Sequence, residues 1–164
     1  MHFGGGHAVR RRHERGSAVV EAALLMPILF VLFFMVFWGG EMMYVWTGVN
    51  YAAMSAAVDA ARKGEFSTDI RSATAQYLQQ WTPGGKVLGA DINASAPYND
   101  PGKVVVWGPD VGSKIQRGNN LTVGVVYPFK VDSPLLGLLG RAVFGGDVIY
   151  LKASATAKSE VFIE

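Results

Sequence analysis

A run of 19 uncharged and mostly apolar residues, Ala22 to Gly40 ("AALLMPILFVLFFMVFWGG"), constrains this chain more than any other feature. As a helix that rises about 1.5 Å per residue, the run measures about 30 Å, the hydrocarbon thickness of a bilayer. It has no polar face, so a soluble protein would have to surround it completely. It is also longer and bulkier than the apolar core of a cleavable secretory signal, which has about 7 to 15 residues. We therefore predict a membrane-spanning helix.

Basic residues flank the apolar run on one side only, and this asymmetry predicts its orientation. The group before the run consists of Arg10, Arg11, Arg12 and Arg15, and no comparable group follows. By the positive-inside rule, the N-terminus stays in the cytoplasm and the residues beyond about 45 are exported. Trp38, Tyr44 and Trp46 gather at the far end, where amphipathic rings suit the lipid headgroup layer.

The basic character of the chain is confined to its N-terminal tail. The whole chain has 15 Lys and Arg against 13 Asp and Glu, and the tail up to Gly16 holds four of the former and one of the latter, which leaves 11 against 12. A protein that binds nucleic acid would carry its basic patch on the folded part. We therefore expect no nucleic acid among the partners.

Cysteine is absent, and all three histidines lie in the tail. This composition removes disulfide frameworks, thiolate nucleophiles and most transition-metal sites from the rest of the chain. Carboxylates remain available to a membrane-tethered enzyme, but no spacing of acidic residues indicates a catalytic pair. We expect neither an enzyme nor a bound cofactor or metal.

Helical periodicity continues beyond the apolar run, because the following segment has no proline and its small and β-branched residues recur at steps of three and four. Ser17 to Lys63 is therefore predicted as one helix, which Pro27 should bend or loosen near its start. Ala56 and Ala60 are small enough to let another helix approach closely. Glu41, at the outer boundary of the apolar run, is either solvated or linked to a partner helix.

After Gly64 the long helical pattern ends, and shorter predicted elements follow. Ser67 can cap a second helix, "STDIRSATAQYLQQW". The apolar stripe predicted for this helix consists of Ile70, Ala73, Tyr77, Leu78 and Trp81. Short extended runs follow, and the last of them, "VIYLKASATAKSE", alternates with Ile149 and Leu151 on one face and Lys152 on the other.

These elements predict an α+β fold. A long N-terminal transmembrane and stalk helix and a second short helix accompany a small antiparallel sheet of three to four strands. The predicted parts are a basic leader (1–16), the helix (17–63) and an exported head (64–164).

Two loop features leave alternatives open. "SPLLGLLGRAVFGG", from Ser133 to Gly146, either folds over the core or forms an exposed contact surface, and the number of leucines favours the core. A set of loop residues could contribute to a calcium site, although such residues more often form turns. The set consists of Asn99, Asp100, Asp110 and Asp132.

The N-terminal segment also carries a family resemblance. A basic leader that ends in "ERG", a glutamate at Glu21 and an apolar helix with Pro27 resemble the class III signal of type IV pilin-like proteins. More specifically, "RRHERGSAVVEAALLMPILFVLFFMVFWGGEMMY" followed by "NYAAMSAAVDAARKG" resembles the TadE-like pseudopilins of the tight-adherence (Flp-type) pilus system. The head resembles that family only in the order of its elements.

The resemblance implies a minor pilin or pseudopilin that supports adhesion or surface attachment. A prepilin peptidase would cut between Gly16 and Ser17, leaving Glu21 as the fifth residue of the mature chain. The new Ser17 ammonium could then pair with Glu21, within one chain or between neighbours, and fix the axial register of docking. The implied partners are other pilin or pseudopilin subunits, the peptidase, the inner-membrane assembly platform and membrane lipid. The implied location is the bacterial inner membrane, with the head periplasmic or extracellular in a pilus.

An alternative interpretation keeps the leader. The chain would then be an unprocessed single-pass membrane protein whose exported domain binds a ligand or surface. Under that interpretation the basic residues at positions 10 to 15 persist in the membrane-extracted protein, and Glu21 has no role in assembly.

Overall fold

The computed structural model describes the backbone of residues 6–130 and 146–162, and the side chains of 19–130 and 146–162. The chain forms two compact units, Met1–Gly40 and Glu41–Glu164. The first unit is helical wherever it is described. The second contains the end of the long helix, a second helix and a sheet. The predicted loop at 133–146 lies outside the described residues, except for Gly146.

The long helix, α1, runs from Gly6 to Lys63. Its end at Lys63 is the predicted one, with Arg62 and Lys63 in the last turn and Gly64 in the left-handed region at φ 71°. Its beginning lies eleven residues before the predicted start at Ser17. The sequence between the two starts, "GHAVRRRHERG", contains no proline and several good helix formers, so nothing in it ends the helix.

Within the second unit, α1 has a buried face and an opposite exposed face. The buried face consists of Val45, Val49, Ala52, Ala53, Ala56, Ala57, Ala60 and Ala61. The exposed face carries large residues at helical spacing, namely Tyr44, Tyr51, Met54 and Val58. Alanine on the inner face lets neighbouring backbone approach closely, as when the Ala61 carbonyl accepts a hydrogen bond from the Glu160 N–H at 3.0 Å. The large side chains are left outside.

The second helix, α2, spans Thr68–Trp81 and returns beside α1, so that the Tyr77 ring lies 5.6 Å from the Tyr51 ring. The predicted apolar stripe of α2 is partly wrong. The residues that are buried are Ile70, Arg71, Thr74, Ala75 and Leu78, whereas Ala73 and Trp81 are exposed and Tyr77 is half-buried. The stripe is rotated because Arg71 can enter the interior, where backbone carbonyls accept its hydrogen bonds.

Ser67 occupies the N-cap position of α2 as predicted, but its hydroxyl makes no capping hydrogen bond. Its backbone carbonyl accepts the Arg71 N–H at 3.1 Å, while its Oγ is buried with no hydrogen-bond partner among the described residues. The capping chemistry predicted for this side chain is therefore wrong.

The described residues form one four-stranded sheet in the order β1-β2-β3-β4. Its strands are β1 (Gly89–Ala94), β2 (Lys103–Trp107), β3 (Asn120–Lys130) and β4 (Val148–Lys158). Strands β3 and β4 pair antiparallel over their full length, from Asn120 opposite Lys158 to Lys130 opposite Val148. A short 3₁₀ turn, Gly85–Val87, links α2 to β1. The α+β class and the four strands are confirmed.

The prediction of a purely antiparallel sheet is wrong, because β1 and β2 pair parallel. The segment between them is not a hairpin turn but a strap that runs back along β1 to restart at Lys103. The Asp91 carboxylate anchors this strap by accepting a hydrogen bond from the Tyr98 hydroxyl, and it also accepts the N–H of Asn93 in β1 at 2.9 Å. Asp100 then closes the last turn by accepting the Gly102 N–H at 2.8 Å.

The alternation predicted for the last strand is confirmed. Leu151 and Ala153 of β4 are buried, and Lys152 and Ser154 are exposed. In β3 the residues from Val123 to Phe129 are buried on both faces. Gly124 shows why one of them has no side chain. It lies opposite Trp107 in the register, and a Cβ at this position would come within 2.5 Å of the Trp107 ring.

Candidate functional site

The apolar run of α1 presents its side chains outward. The part of α1 from Val19 to Lys63 is a candidate membrane span, because its apolar window of 18 residues has a mean hydropathy of 2.6 and none of that window is buried inside the protein. Phe33 is 66 % exposed and Phe37 is 70 % exposed. A surface this apolar requires lipid or another apolar helix around it.

Pro27 lies inside α1, and the helix continues through it. Because proline has no N–H, the carbonyl one turn earlier, at Ala23, loses its helical donor. Pro27 also lines a shallow, almost entirely apolar groove of about 360 Å³. The other residues that line it are Ile28, Val31, Leu32 and Met35. This groove offers a recess for a side chain of a neighbouring helix.

Glu21 lies on α1 at the start of the apolar run, and its side chain is exposed. Within the described residues, no cationic group lies within 4 Å of its carboxylate. Ser17 is one helical turn before it on the same helix, about 6 Å along the axis. Among the described residues, the carboxylate of Glu21 therefore has no cationic partner. It is available to a cation from elsewhere.

The junction between Gly16 and Ser17 is part of α1, as are the positions of Arg10, Arg11, Arg12 and Arg15. The side chains of these residues lie outside the described part of the chain. What the backbone gives is the conformation of the junction, which is helical on both sides. Since a protease binds its substrate in an extended form, cutting at this place requires the helix to unwind locally.

The three other residues predicted to serve helix packing lie in the second unit. Ala56 and Ala60 are buried, at 3 % and 0 % exposure, and they pack within the chain itself. Glu41 is half-buried, and its charge is one of the causes that raise the pKa of Tyr127, after burial of the ring. The Tyr127 hydroxyl accepts a hydrogen bond from Thr82 Oγ1 at 2.7 Å and donates one to the Pro83 carbonyl at 3.2 Å. Glu41 is thus only partly solvated, and its charge acts on a buried group of its own unit.

A second groove, of about 220 Å³, opens between the outer part of α1 and α2. We call it the α1–α2 groove. Its principal lining residues are Tyr51, Ser55 and Asp59 of α1 and Ile70, Ala73 and Tyr77 of α2. The sequence indicated the two helices but not this groove, because the predicted stripe of α2 placed Ala73 and Tyr77 in the core.

Arg71 is a buried charged residue that the sequence did not indicate. Only 1 % of it is exposed. Its Nε donates to the Phe66 carbonyl at 3.2 Å, and its Nη1 donates to the Ile92 carbonyl at 2.8 Å and the Ala94 carbonyl at 3.3 Å. Its Nη2 donates to the Pro109 carbonyl, and the guanidinium lies 4.3 Å from the centre of the Phe66 ring. The one sequence feature that could have indicated this burial is the position of Arg71, directly after Ile70, the first apolar residue of the amphipathic helix α2.

Burial lowers the pKa of Arg71, and the charges of Asp110 and Asp91 oppose that effect. The guanidinium nevertheless makes its hydrogen bonds to carbonyl oxygens, so it connects the start of α2 with β1 and with the segment after β2. Its role is structural. Among the described residues, no three His, Cys, Asp or Glu side chains come together in a way that could hold a metal ion.

Comparison with known proteins identifies one family. Residues 16–58 match the model of the family described as TadE-like protein. The match begins at Gly16, covers the whole apolar run and ends within the outer part of α1. No curated protein and no solved structure matches the chain. The resemblance found in the N-terminal sequence is thereby confirmed for this segment.

Proposed function

We propose, from the premise that residues 16–58 are those of a TadE-like protein, that this chain is a minor pilin or pseudopilin of a tight-adherence (Flp-type) pilus. A role related to that pilus follows from the family match. The finer statements, that the chain is processed by a prepilin peptidase, joins other subunits and supports adhesion, are ours. The observation that supports them is that the matched segment contains an apolar run whose 18-residue window has no residue buried inside the protein.

The proposed location is the bacterial inner membrane, crossed once, with the N-terminus in the cytoplasm. The arginine group before the apolar run supports this orientation. The second unit would then lie in the periplasm before assembly and outside the cell in a pilus. The proposed partners are other pilin or pseudopilin subunits, the peptidase, the assembly platform of the inner membrane and membrane lipid.

The proposed assembly chemistry uses the charge at Glu21. Cleavage after Gly16 would create an ammonium at Ser17, one turn from this carboxylate. In the low-dielectric surroundings of packed apolar helices, an unpaired charge costs several kcal/mol, so the carboxylate and the ammonium favour an arrangement in which they meet. A pair formed between two subunits would select one axial register.

The mature N-terminus tests the proposal. Mass spectrometry of the protein extracted from membranes of cells that contain the peptidase should find a chain that begins at Ser17. Gly16→Val should abolish this species, because a β-branched side chain hinders the close seating of the backbone in the protease. Gly6→Val, the same change within the leader, should leave it intact.

A chain that retains Met1 to Gly16 in such cells would overturn the proposed processing. That outcome would favour the alternative of an unprocessed single-pass membrane protein with a binding domain. Under that alternative, removal of the charge at Glu21 leaves the association with other subunits unchanged.

A further inference from the structure

The α1–α2 groove has the chemistry of a site for a basic side chain. Its lining contains one carboxylate, that of Asp59, and two tyrosine rings, those of Tyr51 and Tyr77. The rings lie 5.6 Å apart at 47°, so they form an open wedge and not a closed stack. Within the described residues, no cationic group lies within 4 Å of the Asp59 carboxylate.

The size of the groove limits what can occupy it. Its volume of about 220 Å³ is below the roughly 300 to 1,000 Å³ of pockets that hold small-molecule ligands. Tyr51 and Asp59 are eight residues apart on α1, which corresponds to about 12 Å along the helix. A long, thin group fits such a slot, with its charged end at Asp59 and its stem against Ala56 and Ala73.

The charge and the rings select the same kind of group. A guanidinium or ammonium gains from the carboxylate, and a cation within about 6 Å of a ring face gains from the ring. Burial raises the pKa of Tyr77, and electrostatic repulsion from the hydroxyl groups of Tyr51 and Tyr44 adds to this effect, so its hydroxyl stays neutral at physiological pH. An acidic ligand would be repelled by Asp59, and a purely apolar ligand would leave the carboxylate desolvated.

Exposed aromatic and apolar side chains surround the groove. Tyr51 is 59 % exposed, and Met54 and Val58 beside it on α1 are exposed as well. The Tyr77 ring stacks on the exposed Trp81, with ring centres 6.2 Å apart. Aromatic and Met side chains around one charged recess are typical of the centre of a protein interface.

We propose that the α1–α2 groove receives a lysine or arginine side chain of a neighbouring protein subunit, held by Asp59 and by the rings of Tyr51 and Tyr77. The inference rests on the proposed function only for the identity of the neighbour as a pilus subunit. The recognition of a cation by the groove does not depend on it.

A titration of the full-length protein in detergent micelles tests the recognition directly. The probe is arginine amide, and citrulline amide is its uncharged counterpart of nearly the same shape. Tyrosine-ring NMR signals, assigned with Tyr51→Phe and Tyr77→Phe, should shift saturably with arginine amide at millimolar concentrations. The affinity for citrulline amide should be at least about fivefold lower, since it lacks the ionic and cation–π contributions.

Matched substitutions locate the effect. Asp59→Asn should lower the affinity for arginine amide about fivefold, and Tyr77→Leu should lower it as well, whereas Tyr77→Phe should retain it. Asp69→Asn, at an exposed carboxylate of α2 outside the groove, is the control and should change nothing. Equal affinity for the two probes, or an unchanged affinity in Asp59→Asn, would overturn the site.

Incorporation into pili tests the neighbour. Asp59→Asn should reduce the amount of the chain recovered in assembled pili about fivefold, with no change in the cleavage at Gly16. If the titration succeeds and incorporation is unchanged, the groove binds a basic group but the neighbouring subunit is not its source, and that part of the inference fails. A chain that is never cleaved contradicts the proposed function and leaves the titration result as it stands.

Discussion

Arg71 shows how a charged side chain becomes part of an interior without an opposite charge in contact. Its guanidinium has five N–H groups in a fixed plane, and carbonyl oxygens of three separate segments meet them. The carbonyls of Ile92 and Ala94 belong to β1, and that of Pro109 to the segment after β2. The side chain therefore supplies donors to carbonyls of the edge strand β1 and of the segment after β2, and the Ala94 carbonyl accepts the Gly108 N–H as well.

Removal of this guanidinium should destabilise the second unit strongly. Arg71→Met removes the hydrogen bonds to the buried Phe66 carbonyl and to the part-buried carbonyls of Ile92 and Pro109, and we expect the free energy of unfolding to fall by about 3 kcal/mol. Arg71→Lys should recover only part of the loss, because one ammonium cannot reach all of the acceptors. Denaturant titration followed by near-UV circular dichroism measures both, and Arg62→Met, at an exposed position of α1, serves as the control. A loss of less than about 1 kcal/mol in Arg71→Met would contradict the role assigned to Arg71.

Glu21 carries the second prediction at the scale of a residue. Glu21→Ala should leave membrane insertion and cleavage intact and lower recovery in assembled pili at least about tenfold, because a buried ammonium would lose its partner. Glu21→Gln keeps the shape and removes the charge, so it should behave in the same way. Quantitative immunoblots of sheared pili and of membranes give the two amounts. Wild-type incorporation of both variants would exclude the charge pair.

At the scale of an element, the strap between β1 and β2 is the unusual feature. Parallel neighbours normally need a crossover of a dozen or more residues, whereas the strap covers only residues 95–102. It holds because Asp91 accepts a hydrogen bond from Tyr98 in the middle of the strap, and Asp100 accepts one from the Gly102 N–H at its end. Two prolines, Pro97 and Pro101, reduce the freedom that the strap loses on folding.

The strap should respond to pH at both extremes. The hydrogen bond from Tyr98, and then that from the Asn93 N–H, lowers the pKa of Asp91 below 3.8, so its contribution to stability is present above that value and is lost as the pH falls through the lower folded pKa. The same bond raises the pKa of Tyr98 from 10.0 to about 12, so its contribution is present below pH 10.0 and is lost as the pH rises through about 12.

Two measurements check this behaviour. The difference in unfolding free energy between the wild type and Asp91→Asn should be constant between about pH 5 and pH 9 and shrink under more acidic conditions. The phenolate absorbance that Tyr98→Phe removes should titrate near pH 12 in the wild type and nearer 10.0 in Asp91→Asn. An unchanged titration of Tyr98 in Asp91→Asn would show that the two side chains are not coupled.

At the scale of the whole molecule, α1 contributes residues to both compact units. Between Val19 and Gly40 its side chains are mostly exposed, and from Val45 to Ala61 one of its faces is part of a protein core. The boundary between the units falls at Glu41, directly after the apolar run. The two parts of the helix therefore obey different rules of composition, phenylalanine and leucine in the first and alanine in the second.

Two truncations test this division. A chain that begins at Glu41 should leave the membrane fraction and keep the near-UV circular dichroism of the second unit, because the buried face of α1 is retained. A chain that begins at Gly64 loses that face, including Ala52, Ala56 and Ala60, and should not fold. If the shorter chain folded as well as the longer one, α1 would not be part of the core of the second unit.

The sequence predicted the helices, the end of α1, the α+β class and the alternation in β4, because each of these depends on local periodicity and on turn residues. It did not predict the parallel pairing of β1 and β2, which depends on hydrogen bonds between Asp91, Tyr98 and the strap. It also misplaced the buried face of α2. Hydrophobicity directs an arginine outward, and the carbonyls that allow Arg71 inside come from segments 21 to 38 residues away.

The candidate sites also divide into features that the local sequence predicts and features that depend on tertiary contacts. The apolar run, the basic leader and Glu21 are contiguous in the chain, so the sequence by itself predicted the candidate membrane span and the match of residues 16–58 to the TadE-like family. The α1–α2 groove is formed by Tyr51 and Asp59 from one helix and Tyr77 from another, and only the tertiary structure brings them together. A membrane span is a property of composition along one helix, whereas a recess between helices depends on which face each helix buries.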